Sequence, residues 1–307
     1  MRIAVPDLVS NSYFPAVAAV ELGFFKEHEI DMELEMVSPV GRAMRALRDG
    51  DIDFVAGPAH PTLSAFPGWE GAKLLAALSR HTFWLLVMRS NLEIEPGDVE
   101  AIRGLRIGAA PGPDAALRRL LVEAGVDPEA DVSLAPVPGS DAAGVSFGIH
   151  AAQALRDGII DGFWANAMGA EVAVQSGIGK VLLDPRRGLG PAAARHYTFA
   201  ALVTTDRLIE DSPATAGGAV RAVVAAQKAL QSDPSRAAEV GRRLFPADEA
   251  ELIEDLIRRD APYYSAEISP DTVASLNEFC RNLGLLDGDV AYEQVVAGRF
   301  AHLWSEG

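Results

Sequence analysis

The chain reads as an α/β protein of two lobes with a hinge and a ligand cleft, the second lobe inserted in the first and a run of helices closing the chain. Three observations predict this. The stretch Ala46-Leu47-Arg48-Asp49-Gly50-Asp51-Ile52-Asp53-Phe54 returns as Ala154-Leu155-Arg156-Asp157-Gly158-Ile159-Ile160-Asp161, with Phe163 just beyond. Each copy has the form of a helix end, a Gly stop and the start of a buried strand, because Gly adopts the left-handed conformation that terminates helices. Strand and helix patterns alternate as far as residue 204, and only helical patterns follow.

Bulk properties set the limits. With 307 residues the chain has room for two domains of ordinary size. Hydrophobic residues make up 49% and charged residues 23%, the balance of a folded globular protein. A formal charge of −16 argues against nucleic-acid or membrane-surface partners, which call for a basic face. An anionic ligand would need local donors. The one cysteine, Cys280, excludes an internal disulfide and a cysteine-based metal site. Its helical spacing with Val273, Leu276 and Phe279 predicts a buried, inert thiol. No apolar run is long enough for a membrane span. Met1-Arg2-Ile3-Ala4-Val5-Pro6 enters a strand at once, so the expected location is cytoplasmic; a signal segment removed from ahead of it would make it periplasmic or cell-surface.

In order, residues 2–5 form a short strand, 7–11 a polar loop and 15–26 a helix. Residues 30–37 alternate Ile30, Met32, Leu34 and Met36 with Asp31, Glu33 and Glu35, a strand with one wet face. A helix over 42–48 leads to strand 52–55 and the breaker loop Gly57-Pro58-Ala59-His60-Pro61. Residues 73–78 and 83–88 are further strands, and 96–104 is a crossover. The second set runs through strand 106–109, loop 110–114, helix 115–124, strand 132–137, helix 148–156 and strands 159–164 and 181–183. Residues 185–195 read as a surface loop and 197–204 as a strand. Helices follow over 206–209, 214–230, 235–244, 249–258 and 271–285, with Pro213, Pro234 and Pro270 near their starts. Lobe 1 is therefore 1–90 plus 200–307, carrying the C-terminal helices, and lobe 2 is 91–199. Two crossings between lobes permit hinge closure.

Several segments carry a family resemblance. They are Asn11-Ser12-Tyr13-Phe14-Pro15, Glu21-Leu22-Gly23-Phe24-Phe25, the alternating strand, the first echo, residues 161–164 and 197–205, and Val290-Ala291-Tyr292-Glu293-Gln294-Val295-Val296. Together they resemble the type II periplasmic-binding fold, in its branch of sulfonate-, taurine-, nitrate- and thiamine-pyrimidine-binding proteins of ABC importers. The resemblance covers nearly the whole chain. It implies a small organic ligand, anionic or planar, between the lobes, with an ABC permease as partner if the protein is exported. The ligand contacts it implies are Ser10, Asn11, Ser12 and Tyr13 after the first strand, Gly41 after the second, and Gly57 and His60 after the third. From lobe 2 come Gly112, Asp114, Ser140, Trp164 and Asn166. Helix starts at these loops expose unpaired N–H groups, and Trp164 and Tyr13 could sandwich a planar ring.

Structural roles compete with these. Asn11 and Ser12 suit helix caps, Trp164 suits a core, and His60 between prolines suits a loop. No dinucleotide fingerprint, phosphate-binding loop or paired-histidine spacing is present, so neither cofactor nor metal is expected. The fold also hosts cytosolic enzymes. In an aryl-sulfinate desulfinase a motif resembling Ser10-Asn11-Ser12 has cysteine at the third place, so thiol chemistry does not carry over to Ser12. A lyase acting on a small aromatic acid, desulfinase- or decarboxylase-like, would use Ser12, His60, Arg80 and His81, with His as proton donor and Arg orienting the acid. A cytosolic ligand sensor is the third alternative. Asp53 and Asp161 read as scaffold.

Overall fold

The structure is a computed structural model and describes residues 1–142 and 144–305. The chain divides into two compact units, Met1–Arg80 with Thr198–Gly307 and His81–Tyr197. The first unit opens with β1 (Arg2–Val5), α1 (Phe14–Glu21), β2 (Glu33–Met36), α2 (Val40–Asp49), β3 (Phe54–Pro58) and β4 (Ala72–Ser79). The second comprises β5 (Leu85–Arg89), β6 (Arg106–Ala109), α3 (Asp114–Glu123), β7 (Ser133–Ala135), α4 (Phe147–Arg156), β8 (Gly162–Ala165), α5 (Ala167–Gln175) and β9 (Gly179–Leu183). The chain then returns to the first unit through β10 (Ala200–Thr205), α6 (Asp206–Asp211), α7 (Pro213–Ser232), α8 (Ser235–Leu244), α9 (Ala247–Asp260) and α10 (Pro270–Asn282).

The two sheets share one plan. Their strand orders are β2-β1-β3-β10-β4 and β7-β6-β8-β5-β9. β1 is parallel to β2 and β3, while β10 runs antiparallel to β3 and β4. Likewise β6 is parallel to β7 and β8, while β5 runs antiparallel to β8 and β9. In each sheet the reversed strand is the first one laid down after the chain crosses into that unit. This exchange of one strand defines the type II arrangement.

It also corrects the expected boundary. Residues 83–88 read as a strand of lobe 1, but β5 pairs with β8 and β9 and belongs to the second unit. Leu85 to Met88 are apolar and buried on both faces, so no alternation marks the sheet they join. Residues 185–195 are not simply a surface loop. They fold into 3₁₀ turns at Pro185–Arg187 and Ala192–His196, with Arg186 buried. The expected helix 15–26 stops early, at Gly23 with φ +84°.

The echo is scaffold. Gly50 and Gly158 both take positive φ, 82° and 71°. Asp53 Oδ2 then accepts from Arg2 N at 2.7 Å, and Asp161 Oδ2 from Arg106 N at 2.9 Å. Each aspartate thus ties the start of the strand leaving the joint, central in its sheet, to the start of the parallel strand beside it. Helix packing in the second unit depends on small residues. A Cβ on Gly169 would lie 2.5 Å from the carbonyl of Gly148, so α4 and α5 touch backbone to backbone. In the first unit the helices seal the edge strand β4: Gln227 Nε2 donates to Ala77 O and Leu78 O, and Trp304 Nε1 to Leu75 O.

Candidate functional site

The loops leaving the carboxyl ends of the parallel strands carry most of the polar side chains the sequence singles out, the usual ligand end of an open α/β sheet. After β1, Asp7 Oδ1 accepts from Val9 N at 3.0 Å and turns the chain. Ser10, Asn11, Ser12 and Tyr13 follow, each 5% exposed or less. The capping alternative fails for Asn11 and Ser12. The residue preceding α1 is Tyr13, and no side chain caps that helix. Instead Asn11 Nδ2 donates to the buried carboxylate of Asp260, and Tyr264 Oη donates to Asn11 O at 2.7 Å. The loop is held by the end of α9 and the turn after it.

This grip leaves three polar atoms over. Ser10 Oγ, Asn11 Oδ1 and Ser12 Oγ are buried without a hydrogen-bond partner. Such atoms are rare and costly in a folded protein, and a ligand's hydrogen bond is one way to satisfy them. Burial, then the Asp7 carboxylate, holds the Tyr13 phenol well above its ordinary value, so its proton stays on as a donor.

The other first-unit candidates adjoin these loops. Gly41 lies in the first turn of α2, where a Cβ would approach Ser64 Oγ at 3.6 Å. Gly57, within β3, lets Pro6 and Val40 come within 3.5 Å of where its Cβ would be. Neither α1 nor α2 has an acidic residue in its first turn. His60 is 2% exposed; Nδ1 lies 3.2 Å from Thr198 Oγ1, and the ring packs edge-on against Phe279 at 5.3 Å. These contacts give it a core role. Arg80 is exposed, with its backbone N–H on Tyr263 O and its guanidinium on Pro262 O.

In the second unit several candidates are already engaged. Gly112 N donates to Asp114 Oδ1 at 2.9 Å, and Asp114 pairs with Arg118. Ser140 N bonds Val137 O, which closes a turn after β7. Asn166 caps α5 through Gly169 N at 3.2 Å. Trp164 is fully buried, donates Nε1 to Pro113 O at 3.0 Å and stacks obliquely near Trp84 at 6.3 Å. That is the core alternative, and it leaves no open face for a sandwich. His81 has φ +69° and lies against Arg195 and His196. Among the described residues no group of three or more His, Cys, Asp or Glu could hold a metal ion, and no helix is long and apolar enough to cross a membrane.

Sheet order, strand exchange and strand-end loops define a protein of the type II periplasmic-binding-protein fold. Residues 8–244 match the NMT1-like family, and the chain belongs to it. Solved structures share the fold. A protein from Bordetella bronchiseptica RB50 is 22% identical, with a TM-score of 0.77 over 98% of this chain and 95% of its own. The periplasmic aliphatic sulphonate-binding protein SsuA of Escherichia coli is 15% identical, with a TM-score of 0.72 over 96% and 91%. The desulfurization enzyme DSZB is 18% identical, with a TM-score of 0.68 over 98% and 97%. No curated protein sequence matches the chain.

Proposed function

We propose that the chain is a small-molecule-binding protein of the ABC-importer kind. It holds a small organic ligand, anionic or planar, at the strand-end loops, with residues 10–13 as the principal contact. The observation that carries this reading is the set of buried, partnerless atoms Ser10 Oγ, Asn11 Oδ1 and Ser12 Oγ, on a loop that Asp260 and Tyr264 hold in place. Such prior placement spares a ligand part of the ordering cost of binding. Family membership and the likeness to a sulphonate-binding protein support the class. A permease partner and a periplasmic or cell-surface location belong to this reading if the protein is exported.

The likeness to a desulfurization enzyme makes a lyase the competing reading. His60 weighs against it, because its ring is committed to Thr198 and Phe279. The test is mass spectrometry of small molecules released from the purified protein on denaturation, followed by incubation of any compound found with fresh protein. The binder returns the compound unchanged at one equivalent or less. A product that forms with wild type and disappears with His60→Ala overturns the reading.

A further inference from the structure

A corner of the second unit gathers basic groups in a chain that is otherwise acidic. Thr82 N donates to Arg195 O at 2.9 Å, which brings the segment entering the unit against the segment leaving it. Arg195 Nη2 lies 3.3 Å from His81 Nε2. A guanidinium only donates, so this contact is a hydrogen bond when His81 Nε2 carries no proton. The His196 ring stands edge-on to His81 with centroids 5.1 Å apart. Arg186 Nη2 donates to His81 O at 3.3 Å.

Other arginines of the unit rest on carboxylates: Arg89 and Arg106 on Asp161, and Arg187 on Asp184. Among the described residues Arg195 has no such partner, and its Nε makes no hydrogen bond. Thr82 is fully buried, and its Oγ1 is also without a partner. His81 holds left-handed backbone geometry, which non-glycine residues adopt rarely and often at functional sites. His196 lies at the rim, where partial desolvation of its ring, then the Arg195 charge, keeps its pKa below the usual histidine value. The corner therefore has positive charge and donors but lacks a counter-charge at Arg195.

We propose that this corner is an oxyanion site, taking the carboxylate, sulfonate or sulfinate group of a small organic acid through Arg195, with His196 at its rim. The bound group would pair with the guanidinium and offset the charge that disfavours a proton on His196. In the lyase alternative Arg80 orients the acid; the geometry points to Arg195 for the anion instead. This inference goes beyond the reading above and does not rest on residues 10–13.

The test is titration of the full chain with sodium ethanesulfonate in chloride-free buffer, followed by NMR of the histidine rings. The expected result is a saturable shift of the His81 and His196 resonances. Arg195→Gln should weaken binding about tenfold or more. Arg48→Gln, which removes the same charge from an exposed pair with Asp49, should leave binding intact. His196→Gln, a rim change, should weaken binding severalfold without altering the melting temperature, and it decides the matter if Arg195→Gln does not fold. Linear, non-saturating shifts, or equal binding by wild type, Arg195→Gln and His196→Gln, would mean an adventitious ion only and overturn the proposal.

Discussion

Replacing Asp161 by Asn removes a negative charge from between two guanidinium groups while keeping the shape of the side chain. Asp161 is 5% exposed and accepts from Arg106 N, Nε and Nη2 at 2.9, 2.9 and 3.0 Å, while Arg89 Nη2 lies 2.6 Å away. An Asn retains the backbone bond but turns an amide donor toward guanidinium donors. Breaking a fully buried pair costs about 3–5 kcal/mol. Here the Arg89 and Arg106 side chains are 30% and 48% exposed, so water recovers part of that, leaving about 2–3 kcal/mol. The equivalent Asp53 accepts from Arg2 N, while the Arg2 guanidinium turns to Glu35, so Asp53→Asn should cost about 1 kcal/mol or less. Urea denaturation followed by far-UV circular dichroism reads both, with a fall in midpoint at unchanged slope. The Arg106 bonds, foremost, hold the Asp161 carboxyl below the ordinary carboxylate range. Its contribution is therefore complete above about pH 5 and is lost as pH falls below about 4 through the depressed folded value. The gap between wild type and Asp161→Asn should close over that acid range. Equal costs for Asp53→Asn and Asp161→Asn, or a gap that persists unchanged in acid, would refute the reasoning.

Further outcomes follow from the same geometry. Gly169→Ala should destabilise the second unit by about 1–3 kcal/mol, since its Cβ meets the backbone of Gly148; calorimetry reads the loss, and a neutral variant would mean that α4 and α5 separate freely. Cys280 is fully buried, and burial pushes its thiol up to about 12, so a disulfide reagent should label it only in denaturant. Rapid labelling of the native chain would contradict the packing of α10. Tyr264→Phe removes the bond to Asn11 O and should cost about 1 kcal/mol of stability, with faster amide exchange over residues 10–13; unchanged exchange there would remove Tyr264 from the role of holding the loop.

Much of the scaffold was legible because its signals are local. The two Gly stops mark helix ends whose hydrogen bonds lie a few residues away. Helix α8 occupies the expected residues 235–244 for the same reason. The sheet that claims β5 was not legible, since a strand apolar on both faces carries no label for its neighbours. Nor was Arg186, whose charge and Gly/Pro-rich surroundings suggest a surface yet which is 2% exposed. The site divides in the same way. Residues 10–13 stand out through polarity directly after a strand, while Asp260 and Tyr264 act on them from about 250 positions away and have no periodic signature. Trp164 and Asn166 show the converse: aromatic and amide residues at a strand end suit a ligand contact and a core or cap equally, and the Pro113 and Gly169 bonds that give them structural roles carry no sequence signal.

The central claim is that residues 10–13 hold a small molecule without transforming it. Isothermal titration of the compound recovered from the purified protein, into wild type and Ser12→Ala, tests it most directly. The account predicts saturable one-to-one binding, weakened about fivefold to a hundredfold by loss of the Ser12 hydroxyl, with the compound intact afterward. Equal affinity in the two proteins, or conversion of the compound during the titration, would contradict it.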